Sequence, residues 1–141
     1  MAKNTKSLLH FDDNISNSKN LVFTMHGNPK IKSDKFAIGT RSLYLDGSSY
    51  LNVSSPDFNF GTGDFTIEFY AYPTSLRNQG CIQLSNTAGG FQYNTTGNLA
   101  LALGDNYNIP QMYAANQGVA GTNPYTANQW IHTAIVSRPL S

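Results

Sequence analysis

The sequence predicts an all-β fold of sandwich type, and three observations carry that reading. The first is the stretch Ser55 to Ser75, SPDFNFGTGDFTIEFYAYPTS, which joins a polar, Gly-punctuated turn to a regularly alternating strand. Phe65, Ile67, Phe69 and Ala71 fall on one face, and Thr66, Glu68, Tyr70 and Tyr72 on the other, as a strand half-buried in a sheet requires. Pro73 ends the run, because it cannot donate to a ladder. The second observation is that no segment of useful length repeats its apolar residues at the helical period. The third is a series of short β runs separated by clusters of Asn, Gly, Ser and Thr.

The elements run in chain order. Residues 1–7 are polar and are expected to be a flexible N-terminal segment, with a single domain over 8–141. Leu8 to Phe11 reads as a short strand ended by Asp12-Asp13, and 14–20 as a polar loop. Leu21 to Met25 reads as another short strand before the turn cluster His26-Gly27-Asn28-Pro29. Ile31 to Ile38 is irregular or weakly extended. Ser42 to Leu45 and Tyr50 to Ser54 flank Asp46-Gly47-Ser48-Ser49, a hairpin signal. After the long strand come Cys81–Leu84, Phe91–Tyr93 and Leu99–Leu103, with turn formers between them. Leu99, Leu101 and Leu103 alternate with Ala100 and Ala102, so both faces of that strand are expected to be covered. Residues 104–128 are rich in Gly, Asn, Ala, Pro and Tyr, with one strand candidate at Ile109–Ala114. The last run, Gln129 to Val136, is apolar on both faces.

Composition narrows the function classes. Charged residues are 12% of 141, about half the usual share, so Asn, Ser, Thr and Gln must solvate the surface. The net charge of +1 gives no global attraction to nucleic acid or acidic membranes. The charge is unevenly spread. Residues 1–41 hold Lys3, Lys6, Lys19, Lys30, Lys32, Lys35 and Arg41 against Asp12, Asp13 and Asp34, or +4. Residues 42–141 hold Arg77 and Arg138 against Asp46, Asp57, Glu68, Asp64 and Asp105, or −3. A solvated basic edge and a docking surface for an acidic partner both fit. The single cysteine, Cys81, excludes an intrachain disulfide and reads as a buried structural thiol in an apolar strand. MAKNTKS has no apolar signal core and no stretch approaches a membrane span, so a soluble chain is expected.

Five segments, in order, carry a family resemblance. They are Leu8-Leu9-His10-Phe11-Asp12, Ser42-Leu43-Tyr44-Leu45-Asp46-Gly47, Tyr50-Leu51-Asn52-Val53, Asp64-Phe65-Thr66-Ile67-Glu68-Phe69, and the Trp-centred Trp130-Ile131-His132-Thr133-Ala134-Ile135-Val136. Together the chain resembles the laminin G-like, concanavalin A-like lectin/glucanase superfamily, in the form common on bacteriophage structural proteins. The resemblance implies a two-sheet antiparallel jelly-roll sandwich used mainly to bind glycans or proteins. Domains of this kind usually continue well past the Trp strand, whereas this chain runs five residues beyond Val136. A strand apolar on both faces makes a poor bare edge. The jelly roll is therefore expected to be incomplete at its C-terminus, finished by further polypeptide or by another chain. A minimal form whose N-terminal segment covers the last strand is the third arrangement.

The candidate sites weigh against catalysis. Retaining glycosidases need two carboxylates about 5 Å apart, and related glucanases carry theirs as alternating acids on one strand. Glu68 is the only Glu in the chain. Its same-face strand neighbours are Thr66 and Tyr70, and Asp64 lies back at the turn. His10, His26 and His132 have no metal-ligand spacing. His132 shares a face with Trp130 and Ala134, which reads as a hydrogen-bonded core or interface histidine. No acid–histidine–serine arrangement is visible. Sequons at Asn14, Asn52 and Asn94 mean little without a secretion signal. The resemblance implies a rim Ca²⁺ site, for which Asp46, Asp57, Asp64 and Asp105 are the turn-borne oxygen donors. Asp in a β-turn more commonly bonds its own backbone, and no cofactor is required by the reading. Tyr70 and Tyr72, beside Glu68, suit stacking on a sugar ring or packing against a strand or subunit. Tyr107, Tyr113 and Tyr125 form a second aromatic set suited to an interface.

The expected function is a non-enzymatic structural or adhesive component on the surface of a phage particle: a head-decoration, fibre or tail-fibre module. Its expected partners are other virion proteins or copies of itself, and a cell-surface glycan, with no nucleic acid and no membrane. A free carbohydrate-binding lectin module is the alternative, and a glucanase-like hydrolase comes after it.

Overall fold

The computed structural model describes residues 5–15, 21–58, 64–75, 79–84, 99–103, 110–114, 117–120 and 124–137. The backbone gathers into two compact units, Met1–Gly63 and Asp64–Ser141. Among the described residues there is no α-helix, and every strand pair is antiparallel. The expected all-β character is therefore present.

The first unit is built on short strands. β1 (Thr24–His26) pairs with β4 (Tyr50–Asn52), and β2 (Lys30–Lys32) pairs with β3 (Ser42–Tyr44). The registers, Thr24↔Asn52 to His26↔Tyr50 and Lys30↔Tyr44 to Lys32↔Ser42, describe one interrupted antiparallel pairing. Segment 24–32 runs against segment 42–52, and at the interruption residues 27–29 face residues 45–49. The hairpin expected across Asp46–Ser49 is thus corrected. Those residues do turn, but the strands on either side of them pair with β2 and β1, and the connecting loop is 33–41.

Local chemistry explains the interruption. Asp46 Oδ1 accepts from Ser48 N, Ser48 Oγ and Ser49 N, each at 2.9 Å. This closes an Asx turn, with Gly47 supplying a φ of 93°. Ser49 is buried, and its Oγ accepts from Asn28 N at 2.8 Å across the gap. Gly27 has a φ of 74°. A Cβ there would lie 2.5 Å from Ser49 Oγ, so the close approach itself requires glycine.

The strand expected over Leu8–Phe11 is also corrected. Leu9 alone makes a bridge, and Phe11 takes a φ of 63°, which breaks an extended run. The next residue is an anchor. Asp12 Oδ1 accepts from Thr40 N at 2.7 Å, Thr40 Oγ1 at 3.2 Å and Arg41 N at 3.3 Å, tying the N-terminal segment to the end of the 33–41 loop. A second tie joins Lys6 Nζ to Asp57 Oδ1 at 3.2 Å, in the 3-10 turn Pro56–Phe58.

The second unit has longer ladders. β5 (Phe65–Ala71) alternates half-buried and exposed residues along its whole length, in the phase the sequence predicts. It pairs with β10 (Ile131–Ser137) over all seven positions, from Ile131↔Ala71 to Ser137↔Phe65. Thr133 is buried opposite Phe69, and Ile135 lies opposite Ile67. His132, Ala134 and Val136 are exposed opposite Tyr70, Glu68 and Thr66. β10 therefore alternates in burial, although its sequence reads as apolar on both faces. The strand β5 ends at Ala71, and the Pro73 carbonyl accepts from Asn128 N at 2.8 Å. Asn128 has a φ of 62°, a conformation Asn tolerates, and it opens the turn into Trp130 and β10.

The remaining strands form a meander, β6 (Gln79–Leu84), β7 (Leu99–Leu103), β8 (Pro110–Ala114) and β9 (Gln117–Ala120), in that sheet order. Pro110 stands at the first position of β8, where its missing N–H costs least. Cys81 is the extra residue of a bulge: Gly80 pairs with Ala102 and Ile82 with Leu101. The residue is half-buried rather than buried. β9 has no counterpart in the sequence reading, and the run Phe91–Tyr93 lies outside the described residues.

Candidate functional site: the exposed face of β5 and β10

The regular pairing of β5 and β10 places six side chains on one exposed face. They are Thr66, Glu68 and Tyr70 from β5, and His132, Ala134 and Val136 from β10. Side chains alternate across a strand, so residues chosen for period two on β5 meet residues of the same phase on β10. His132 stands directly opposite Tyr70, and their rings lie 4.7 Å apart, tilted by 30°. The imidazole Nε2 is 3.4 Å from Glu68 Oε2, an ion pair when the ring is protonated. Glu68 is 65% exposed and His132 44% exposed, so water and salt screen the pair.

The cluster can accept hydrogen bonds through Glu68, offer the Tyr70 ring for stacking and donate through His132. It does not pair Glu68 with a second carboxylate, since its direct cross-strand partner is Ala134. His132, expected as a core or interface residue, is in fact exposed beside Glu68; its core reading is corrected by the alternation of β10. The sequence held a signal for this, since His132, Ala134 and Val136 share one phase. The register that brings His132 to Tyr70 was not visible.

Tyr72, expected on the same face as Tyr70, lies beyond the strand end. It is half-buried and meets the Trp130 ring edge-on at 5.5 Å and 66°. Tyr125 is 5% exposed, so its ring is not open on the surface. Tyr113 lies in β8, paired with Ala100 and Gly118. Tyr107 and Asp105 lie outside the described residues.

The described acidic candidates have separate surroundings. Three hydrogen bonds hold Asp46 in its turn, and the Ser48 backbone, first among them, lowers its carboxyl from the ordinary 3.8 to about 2. Asp57 meets Lys6, and Asp64 is exposed just before β5. Among the described residues, no group of three or more His, Cys, Asp or Glu could hold a metal ion, and no helix is long and apolar enough to cross a membrane. Asp12, which the sequence reading passed over, has the same chemistry as Asp46. The Thr40 backbone N–H leads the hydrogen bonds that hold its carboxyl below the ordinary value.

Residues 45–140 match the family model described as the concanavalin A-like lectin/glucanases superfamily, Laminin_G_3. The chain belongs to this family. No curated protein and no solved structure matches the chain.

Proposed function

We propose that this chain is a non-enzymatic contact module, a structural or adhesive component of a phage particle. Its place would be the virion surface, as a head-decoration, fibre or tail-fibre domain. The scaffold is a jelly roll, and the working surface is the exposed face of β5 and β10. One observation carries the reading: Glu68, the chain's only Glu, sits opposite Ala134 and beside His132 on an open face. A glycosidase would need a second acid close to it. What the face offers instead is a ring, an acceptor and an imidazole, which suits contact rather than bond cleavage.

The partner in this reading is another virion protein or a cell-surface glycan. Copurification of the chain with particles supports it, and loss of that contact in Tyr70→Ala places the contact on this face. A chain absent from purified particles would refute the virion assignment. A free lectin module is the second reading, favoured by the 48% exposure of Tyr70. It predicts signal on a glycan array, with or without added Ca²⁺, and a blank array would remove it. Release of reducing sugar from β-glucans would overturn the non-enzymatic reading.

A further inference from the structure

The uneven charge along the chain becomes sharper on the strands. The four strands of the first unit carry Lys30 and Lys32 and no carboxylate. β5 and β10 carry Glu68 and neither Lys nor Arg. The lysines are set beside the exposed Tyr44 ring. Lys30 pairs across the ladder with Tyr44, Lys32 Nζ lies 3.9 Å from the centroid of the same ring, and His26 stacks on Tyr50 at 4.4 Å. Tyr44 is 40% exposed and Tyr50 53% exposed. Acids in the flanking loops are engaged locally: Asp34 meets Lys35 at 3.6 Å, and Asp46 Oδ1 is filled by Ser48 and Ser49. The Lys30–Lys32–Tyr44 face and the Glu68–Tyr70 face thus each combine an exposed ring with one sign of strand-borne charge.

We propose that these are two halves of one contact between copies of this chain. The Lys30–Lys32–Tyr44 face of one copy docks on the Glu68–Tyr70 face of the next. The contact rests on the reading of the β5–β10 face as a contact surface, and adds the partner. Because the two surfaces differ, the association joins unlike faces, and each copy offers one face of each kind. Rings and Val136 supply apolar area, while the charges set register and encounter rate and add a salt-sensitive part of the affinity. Exposed charges are screened by salt, so the association weakens as ionic strength rises.

The test is sedimentation velocity of the full chain over a concentration series at low and high salt. The expected result is a mass that grows with concentration at low salt and falls toward the monomer at high salt. The double variant Lys30→Glu/Lys32→Glu and the variant Glu68→Lys should each be monomeric, with unchanged far-UV spectra. Mixing the two variants should restore a mass above the monomer, since one intact face of each kind is then present. A wild-type chain that stays monomeric at low salt throughout, or variants that associate as wild type does, would overturn the proposal. If Tyr70→Ala loses particle or glycan contact while wild type stays monomeric, the contact face stands and only self-association fails. If Tyr70→Ala keeps particle and glycan contact and the charge variants associate as wild type does, both readings fail together.

Discussion

The two units solve the same problem by different means. Residues 64–141 contain a seven-position ladder between β5 and β10 and the meander of β6 to β9, whose order is carried by strand pairing. Residues 1–63 have strands of three residues each, and their order is carried by polar hooks. Asp12 holds one end of the 33–41 loop, Asp46 closes a turn, and Ser49 bridges the interruption between the two short pairs. A long ladder spreads its stability over many contacts. A hook concentrates it in one oxygen atom. The units should therefore fail to different insults: loss of apolar volume in the second, backbone obstruction and acid in the first.

The largest effect is expected at Phe69, on the half-buried face of β5 opposite buried Thr133. Phe69→Ala removes apolar contact from the middle of the ladder and should cost about 2–3 kcal/mol, the lower range for a large side chain that is not fully enclosed. The denaturant midpoint reports the loss, and amide exchange should rise along β10 while the amides of 24–52 keep their protection. Equal loss of protection in both units would show that they unfold as one.

Gly27→Ala makes the reverse cut. The left-handed φ costs about 1 kcal/mol for a residue with a Cβ. Displacing Ser49 Oγ also breaks its bond to Asn28 N, worth about 1 kcal/mol more. Gly47→Ala is the control, since it has a positive φ but nothing within 4 Å of its Cβ. It should lose only the conformational part. Identical losses at the two glycines would mean that the Ser49 bridge contributes nothing.

These two sites also show how far the sequence could be read. β5 was legible because seven residues alternate and Pro73 closes them, so its faces follow from local rules alone. Glu68 and Tyr70 were legible as neighbours on one exposed face for the same reason. The partner of a three-residue strand is not a local property. Asp46-Gly47 makes the turn that its chemistry predicts, yet β3 and β4 pair with β2 and β1, because segment 24–32 competes successfully for their edges. β9 went unseen because Gln117-Gly118-Val119-Ala120 has no alternation to detect. His132 went unseen as Glu68's neighbour because register joins residues far apart in sequence.

A smaller effect, of opposite sign, is expected at Thr133. It is buried, and its Oγ1 has no hydrogen-bond partner among the described residues. A buried hydroxyl left without a partner carries its desolvation cost unrelieved. Thr133→Val keeps the shape and removes the hydroxyl, so thermal unfolding should shift upward, by about 1 kcal/mol of added stability. A downward shift would mean that Oγ1 is satisfied in solution, and the second unit would then contain a hook of its own.

The smallest and most selective effect is expected from acid. Asp12 and Asp46 accept their hydrogen bonds as carboxylates, and both titrate below the ordinary 3.8, Asp46 at about 2. A carboxyl depressed in the folded state favours folding above its unfolded value, and that contribution fades as pH falls through the folded one. The hooks should thus be intact above about pH 4 and weaken toward pH 2. Both groups sit at the surface, so the change should be local: faster exchange at Thr40, Arg41, Ser48 and Ser49, whose N–H groups donate to them. Amides of the β5–β10 ladder have no such carboxylate acceptor in their pairing and should hold their protection, relative to intrinsic rates, through the same window. Asp46→Asn should remove the pH dependence at Ser48 and Ser49 and leave that at Thr40 and Arg41. If all four residues lost it together, the hooks would be a single network rather than two, and the first unit would depend on a cooperative polar lattice instead of independent anchors.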